Sequence, residues 1–590
     1  MMANSVQERE DEGPEKFFHD KDRGRWGSKT EFFLSCVGYA VGIGNVLRFP
    51  YLCYRSGGGA FLVPYLLMLF LCGIPLFFME MVIGQFSSTG CVGMFRMCPL
   101  FKGAGYAIIV INFISSCFYS ILLSYPLLFL TKIFSNELPW VSCGHEWNTE
   151  KCIDVSKFSL YNHTSIKSLR TPSDEFFHEE ILKISPGINE LGGIVWPLFY
   201  CLCISWLTVY VCIIKGIKTV GKVVYFTATF PYVILFILFI RGITLPGAMR
   251  GIIFYIKPEW SKLMDLKVWT DAAIQIFFSL GPGWGGIVNM ASFNKVHNDA
   301  KKDAILIPII NCSTSIFAGF VVFSVLGFLS HQSGIPVAEV ATSGPGLAFI
   351  TYPQAIAMMP WPHLWAALFF FMLYLLGLDS AFVQIEAFIS SMVDEFPSCR
   401  PYKFAVTFST ILAMFFISII FTTEGGMYVY QLLDWYSASI SVILVCVFEV
   451  IMVAWMYGNK RFSEDIFFMV GSYPGKMWTI CWKFITPIIL IAIFFTTIAF
   501  NRDVSYNGIE YPRWAINFGW STCAASILFI PGYMFYIILK GKSPPTRMIA
   551  IYSKANDWTP ALDEDKAEYE KFRATLNKSK VKTFELKVVK

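Results

Sequence analysis

The chain has 590 residues, 55% hydrophobic and 15% charged, with a net charge of +5 and a mean hydropathy of +0.54. Soluble chains carry about a quarter charged residues, so this composition excludes a string of soluble domains and points to one polytopic membrane domain. The lysines gather at the two ends and in short loops, as topology signals do, which argues against a nucleic-acid-binding patch.

Residues 1–29 are charged and contain no apolar core, which predicts a cytoplasmic tail and no cleavable signal. Twelve apolar segments follow, at 30–53, 59–84, 104–135, 193–214, 222–241, 268–294, 304–328, 363–393, 403–421, 427–457, 480–499 and 514–539. Each is close to the 20 or so residues that cross about 30 Å of hydrocarbon. The predicted fold is therefore all-α, a polytopic domain of twelve transmembrane helices over 30–540, with a lysine-rich second tail at 541–590. An even number of spans puts both tails on one side. Lys215, Lys218 and Lys222, in the tight turn between spans four and five, share that side, and the positive-inside rule makes it the cytoplasm.

Span one contains the run from Gly38 to Pro50, GYAVGIGNVLRFP. Arginine and asparagine at bilayer depth need partners or water. Unwound backbone is tolerated there only against a cavity or buried protein. Span one should therefore break and line a polar site.

The loop 136–192 should face outward. There Cys143 and Cys152 lie close in sequence in a compartment where a disulfide persists. Asn162-His163-Thr164 is an N-glycosylation sequon. The other cysteines are scattered through apolar segments as small packing residues, without metal-ligand spacing.

Span six carries Gly281-Pro282-Gly283 and should break as well, because proline removes a donor and glycine frees the backbone. Interrupted helices at corresponding positions of two halves point to an inverted-repeat transporter, with the site at the breaks. Free half-helix N-termini suit an anion and free carbonyls suit a cation.

The two broken runs, together with Gly57-Gly58-Gly59-Ala60-Phe61, Gly73-Ile74-Pro75-Leu76-Phe77-Phe78-Met79-Glu80 and Leu376-Gly377-Leu378-Asp379-Ser380, resemble the sodium- and chloride-dependent neurotransmitter transporters. The resemblance runs from about Arg23 to the end of span twelve. It implies an inverted five-plus-five repeat with helices 1 and 6 broken at mid-membrane, in the plasma membrane.

It also implies two sodium sites and one chloride site. The first sodium site matches Ala40, Asn45, Ser279 and Asn311, and the second Gly38, Val41, Leu376, Asp379 and Ser380. Leu376, Asp379 and Ser380 are spaced to share one helical face, whatever their role. The chloride ligands match Tyr65, Gln275, Ser279, Asn311 and Ser315, all neutral. Some bacterial relatives carry a glutamate at the position of Ser315, so a chain without it should need the anion. Without the resemblance, these polar groups read as interhelical hydrogen bonds.

For substrate, the resemblance points to Gly42, Ile43, Gly44 and Tyr119 around a carboxylate, and to Phe278 as a cap. Ser115, Gly281, Trp284, Ala381 and Gln384 set the side-chain subsite. Monoamine carriers place an aspartate where Gly42 stands. A bulky Trp284 resembles glycine carriers, whereas Gly-Pro-Gly resembles monoamine carriers. Arg48 and Asp434 match an outer gate, and Arg23 and Asp394 an inner one, with Phe293 in place of the usual bracing tyrosine.

The expected function is symport of a small neutral or polar amino acid, or a related carboxylate such as glycine, driven by sodium with chloride. The alternatives are an orphan carrier of another solute and a channel or receptor on the same scaffold. No nucleotide-binding loop or catalytic triad suggests an enzyme. Expected partners are the substrate and membrane lipid but not nucleic acid, and a homo-oligomer stays open.

Overall fold

The computed structural model describes residues 24–154, 169–214, 216–340, 346–437, 440–499, 504–540 and 558–588. Among these the chain is almost wholly helical; a two-residue hairpin, Ser505–Tyr506 with Ile509–Glu510, is its one strand pair. Arg23, Asn162, Lys215, most of the first tail and the stretch 541–557 of the second lie outside the described residues.

Helices stand at all twelve expected positions. Nine are long and apolar enough to cross a membrane: Gly59–Ser87, Pro99–Lys132, Trp196–Ile213, Ile217–Ile243, Ala300–Ser333, Pro362–Glu395, Pro397–Thr422, Gly426–Val470 and Lys476–Ala499. Span one is a bent pair, Lys29–Ala40 with Ile43–Arg55, and span twelve is another, Arg513–Ile527 with Phe529–Lys540. Span six comes in two short pieces, Leu266–Leu280 and Gly286–Ala291. The break at Leu528 in span twelve was not expected; Pro531, three residues on, lacks the N–H that a continuous helix would use there.

Burial sorts the spans into centre and rim. Of the most apolar stretch of span eight 83% is buried, against 28% for span nine. Rim spans four, five, nine, eleven and twelve expose Tyr200, Phe236, Phe416, Phe495 and Phe535, an apolar surface fit for lipid. Spans three and eight pack side by side at the centre, and span eight runs against both broken helices. In the loop between spans three and four Cys143 and Cys152 form the expected disulfide.

Helix Asp563–Val588 docks on the membrane domain. Tyr569 and Tyr457 both donate to the buried Asp465 carboxylate, and Arg573 pairs with Glu464 at 2.7 Å. Trp558 stacks on Phe86, at the inner end of span two, with centroids 5.4 Å apart.

Candidate substrate and ion sites

Span one ends its first helix at Ala40 and restarts at Ile43, with a 52° bend. Val41 N still closes the last turn on Val37 O at 2.8 Å. The Gly42 N–H, which would serve the Gly38 carbonyl in a continuous helix, donates instead to Asn45 Oδ1 at 3.1 Å. Asn45 thus caps the second half-helix and leaves carbonyls of the first without helical donors, the groups a cation needs.

Span six is broken by three left-handed glycines, Gly281, Gly283 and Gly285, with φ of 68°, 76° and 73°. Three other spans satisfy its open backbone. Glu80 Oε1 accepts from Gly283 N at 2.6 Å, Asn112 Nδ2 donates to Trp284 O at 2.6 Å, and Tyr39 OH donates to Gly281 O at 3.3 Å. Glu80, conspicuous in an apolar span, is therefore a brace for the break. Glu449 was not singled out in the sequence. It is fully buried in span ten, its carboxylate near those of Glu80 and the Cys446 thiol.

One polar cluster lies between the breaks and span seven. Asn45 Nδ2 donates to Asn311 Oδ1 at 2.7 Å and Ser315 Oγ at 2.8 Å, with Ser279 Oγ and Asn311 O each at 3.3 Å. Asn311 Nδ2 donates to Ser279 Oγ at 2.7 Å, and Tyr65 OH to Ser315 Oγ at 3.3 Å. A single amide nitrogen sits among four oxygens, a donor set that fits sodium. Gln275 is fully buried and neither of its amide atoms has a partner. An orphaned amide costs about 1–3 kcal/mol. An anion taking its N–H groups would remove part of that cost, so these neutral donors fit chloride.

The second cluster joins spans one, five and eight. A β-carbon on Gly38 would overlap the Asp379 carboxylate, so glycine alone allows the approach. Asp379 is 3% exposed, and its Oδ1 accepts from Thr227 Oγ1 of span five. No cation partners it among the described residues. Ser380 Oγ donates to Tyr39 O at 3.4 Å. A buried carboxylate with one hydroxyl donor and nearby free carbonyls fits a hard monovalent cation. Thr227 was missed in the sequence because a lone threonine in an apolar helix is ordinary, and its partner lies 152 residues away in span eight.

The substrate candidates converge beside both clusters. A β-carbon on Gly42 would come within 2.8 Å of Ser380 Oγ and 4.0 Å of Tyr119 OH, while one on Gly44 would meet open space. The Arg48 guanidinium lies 4.0 Å above the Phe278 ring, whose centroid is 6.5 Å from that of Trp284. Ile43 and Trp284 are buried. Ser115 Oγ bonds back to Asn112 O at 3.3 Å, so its hydroxyl proton is spent within its own helix. Gln384 Oε1 is buried without a partner.

Of the expected gate pairs only the outer one lies within the described residues, and it is not closed there. Arg48 and Asp434 sense each other's charge, but no ion pair joins them; Arg48 rests on Phe278 instead. Of the second pair, Arg23 is outside the described residues, and Asp394 Oδ2 accepts from Gly90 N at 2.7 Å. Trp26 holds the inner half of span six, donating through Nε1 to Met290 O at 2.9 Å and through its backbone to Phe293 O at 3.4 Å.

Two helices broken side by side in an apolar bundle, with oxygen-rich clusters at the breaks, define an ion-coupled membrane carrier; the chain is a transporter of a small molecule and not an enzyme. Residues 23–541 match the sodium:neurotransmitter symporter family, and the chain belongs to that family. It is 43% identical to the sodium- and chloride-dependent glycine transporter 1 of Xenopus laevis, over 94% of this chain and 91% of the relative. It is 45% identical to the human sodium- and chloride-dependent creatine transporter 1, over 88% and 84%. With the rat sodium- and chloride-dependent GABA transporter 2 the identity is 44%, over 89% and 88%. These identities do not separate a glycine carrier from a creatine or GABA carrier.

Proposed function

We propose that this chain imports a small neutral or polar amino acid, or a related carboxylate, across the plasma membrane by alternating access, with two sodium ions and one chloride. The observation that carries the substrate class is Gly42. It has no side chain, and what a side chain would meet there is the Ser380 hydroxyl, with the Tyr119 hydroxyl beyond it. An amine would find no carboxylate at that point, whereas a substrate carboxylate finds the Tyr119 hydroxyl and the freed N–H groups around Ile43 and Gly44. Glycine, creatine and GABA, the substrates that name the three relatives, all carry a carboxylate.

In this reading Ala40, Asn45, Ser279 and Asn311 hold the first sodium, which the substrate carboxylate completes. Gly38, Val41, Leu376, Asp379 and Ser380 hold the second, and Tyr65, Gln275, Ser279, Asn311 and Ser315 hold chloride. Phe278 caps the substrate, with Arg48 and Asp434 closing over it from outside. Arg23 and Asp394 close the inner side, and both tails face the cytoplasm. Glycine against methylamine is the deciding comparison, run as uptake into expressing cells in sodium chloride and in ion-replaced medium, with creatine and GABA alongside. Ion-dependent entry of a carboxylate-bearing solute is expected. Entry of methylamine without any of the three would overturn the reading.

A further inference from the structure

The two carboxylate oxygens of Asp379 have different surroundings. Oδ1 accepts from Thr227 Oγ1 of span five. Oδ2 is the atom nearest to a β-carbon built on Gly38, so it faces the broken helix of span one. The Gly38 carbonyl has lost its helical donor there, because the Gly42 N–H turns to Asn45. The neighbouring Ser380 hydroxyl donates elsewhere, to Tyr39 O at 3.4 Å. Among the described residues Thr227 is thus the one hydrogen-bond donor to this carboxylate.

The contact is unusual for a threonine in a helix, which commonly gives its proton to the carbonyl four residues back. Thr208, Thr314 and Thr496 of this chain do so, each at 2.8 Å. For Thr227 the same contact, to Val223 O, is stretched to 3.3 Å. A hydroxyl has one proton, and the bond to an ionised acceptor is the stronger, so the proton goes to Asp379. Thr227 is 3% exposed, and bulk water does not compete for it. The chain also loosens at this point. Helix Ile217–Thr227 ends on this residue, and Phe230–Ile243 begins after Ala228 and Thr229. Pro231 has no N–H to offer the Thr227 carbonyl.

We propose that Thr227 is the positioning residue of the second sodium site. Its hydroxyl holds Asp379 by Oδ1 and so turns Oδ2 toward the open carbonyls of span one. The ion is then held between spans one and eight and not toward span five, and Thr227 does not touch it. Span five, a rim helix that supplies none of the matched ion ligands, sets sodium affinity through a residue of span eight. This role presupposes the second sodium site proposed above, and adds to it a residue and a direction for its carboxylate.

The test is sodium-dependent stabilisation of the full chain, purified in detergent, with choline replacing sodium at constant chloride. An ion that binds the folded state raises the thermal midpoint as its concentration rises. Thr227→Val keeps the shape and removes the donor. It should raise the sodium concentration for half-maximal stabilisation roughly three- to tenfold, because the carboxylate then faces the site for only part of the time. The sodium dependence of uptake in expressing cells should move by a similar factor, with the chloride dependence at saturating sodium unmoved. Thr227→Ser keeps the hydroxyl and should restore the wild-type response. Thr227→Ala takes the place of the valine variant if that one does not fold. A purely structural role would lower the midpoint equally at every sodium concentration, and that result overturns the proposal. So does a tighter sodium response in Thr227→Val, which would mean that the hydroxyl competes with the ion. A serine variant no better than valine would separate the effect from the hydroxyl and overturn it too. Asp379→Asn, read alongside, keeps the two levels apart. If it responds to sodium as the wild type does, the second site is not at Asp379 and the role of Thr227 falls with it. If its response drops while Thr227→Val matches the wild type, the site stands and the role of Thr227 alone is overturned.

Discussion

Gly38 and Asp379 touch so closely that the backbone of span one rests against the carboxylate of span eight, with no room for a β-carbon between them. The contact ties a broken helix to the scaffold through a charge. Gly38→Ala should push the carboxylate aside and lower sodium-coupled uptake by on the order of tenfold or more, the effect of disturbing a charged hydrogen-bonding group. Asp379→Asn, nearly isosteric, should abolish it. Uptake normalised to surface protein checks both. Full sodium-coupled transport by Asp379→Asn would remove the second sodium site from this position.

Replacing chloride by gluconate should stop transport. Ser315→Glu should relieve that requirement, because a fixed negative charge beside Asn45 and Tyr65 takes over the role of the anion. Wild-type transport unchanged in gluconate would mean that the unpartnered Gln275 amide and its neighbours hold no anion.

Gly42→Asp would set a carboxylate where a substrate carboxylate is proposed to lie. Two like charges about 4 Å apart at an effective dielectric near 20 repel by about 4 kcal/mol, roughly a thousandfold in affinity. The mutant should reach the surface and carry no amino acid. Trp284→Ala should admit larger side chains than the wild type does. Competition of glycine uptake by a series of longer amino acids measures the change.

The Glu80 brace gives a prediction about stability. Glu80→Leu leaves the Gly283 N–H without its acceptor, a loss of about 1–3 kcal/mol. Glu80→Gln keeps an acceptor oxygen and should lie closer to wild type. The thermal midpoint of the purified protein in detergent, read for both mutants, separates them. Equal midpoints would show that the Gly283 bond contributes nothing.

Much of this architecture could be read from residues alone, and the reasons are local. Glycine runs and a proline inside apolar segments can only mean breaks, so spans one and six were legible, as was the pairing of Cys143 with Cys152. Glu80 stood out as a carboxylate in an apolar span that must have a partner, while its bond to the open backbone of span six followed only from the family resemblance. What pairing across space decides was not legible. Glu449 beside Glu80 and Thr227 on Asp379 join spans far apart in sequence. Thr227 looks like an ordinary helix residue in its own segment, whereas Glu449, a carboxylate in an apolar span, carried the same signal as Glu80 and went unread. The outer gate differs for a similar reason: the Arg48 guanidinium lies 4.0 Å over the Phe278 ring, and no ion pair joins it to Asp434.

The break in span six has an evolutionary consequence. Gly281, Gly283 and Gly285 all hold a backbone geometry that side chains resist, and a β-carbon at any of them would strike Tyr39, Cys446 or Cys91. The turn itself is therefore closed to gradual change. Its freedom is confined to the alternate positions, Pro282 and Trp284. A lineage that altered its diet of solutes would have to do so through these two side chains or through the facing helices, with the hinge inherited intact.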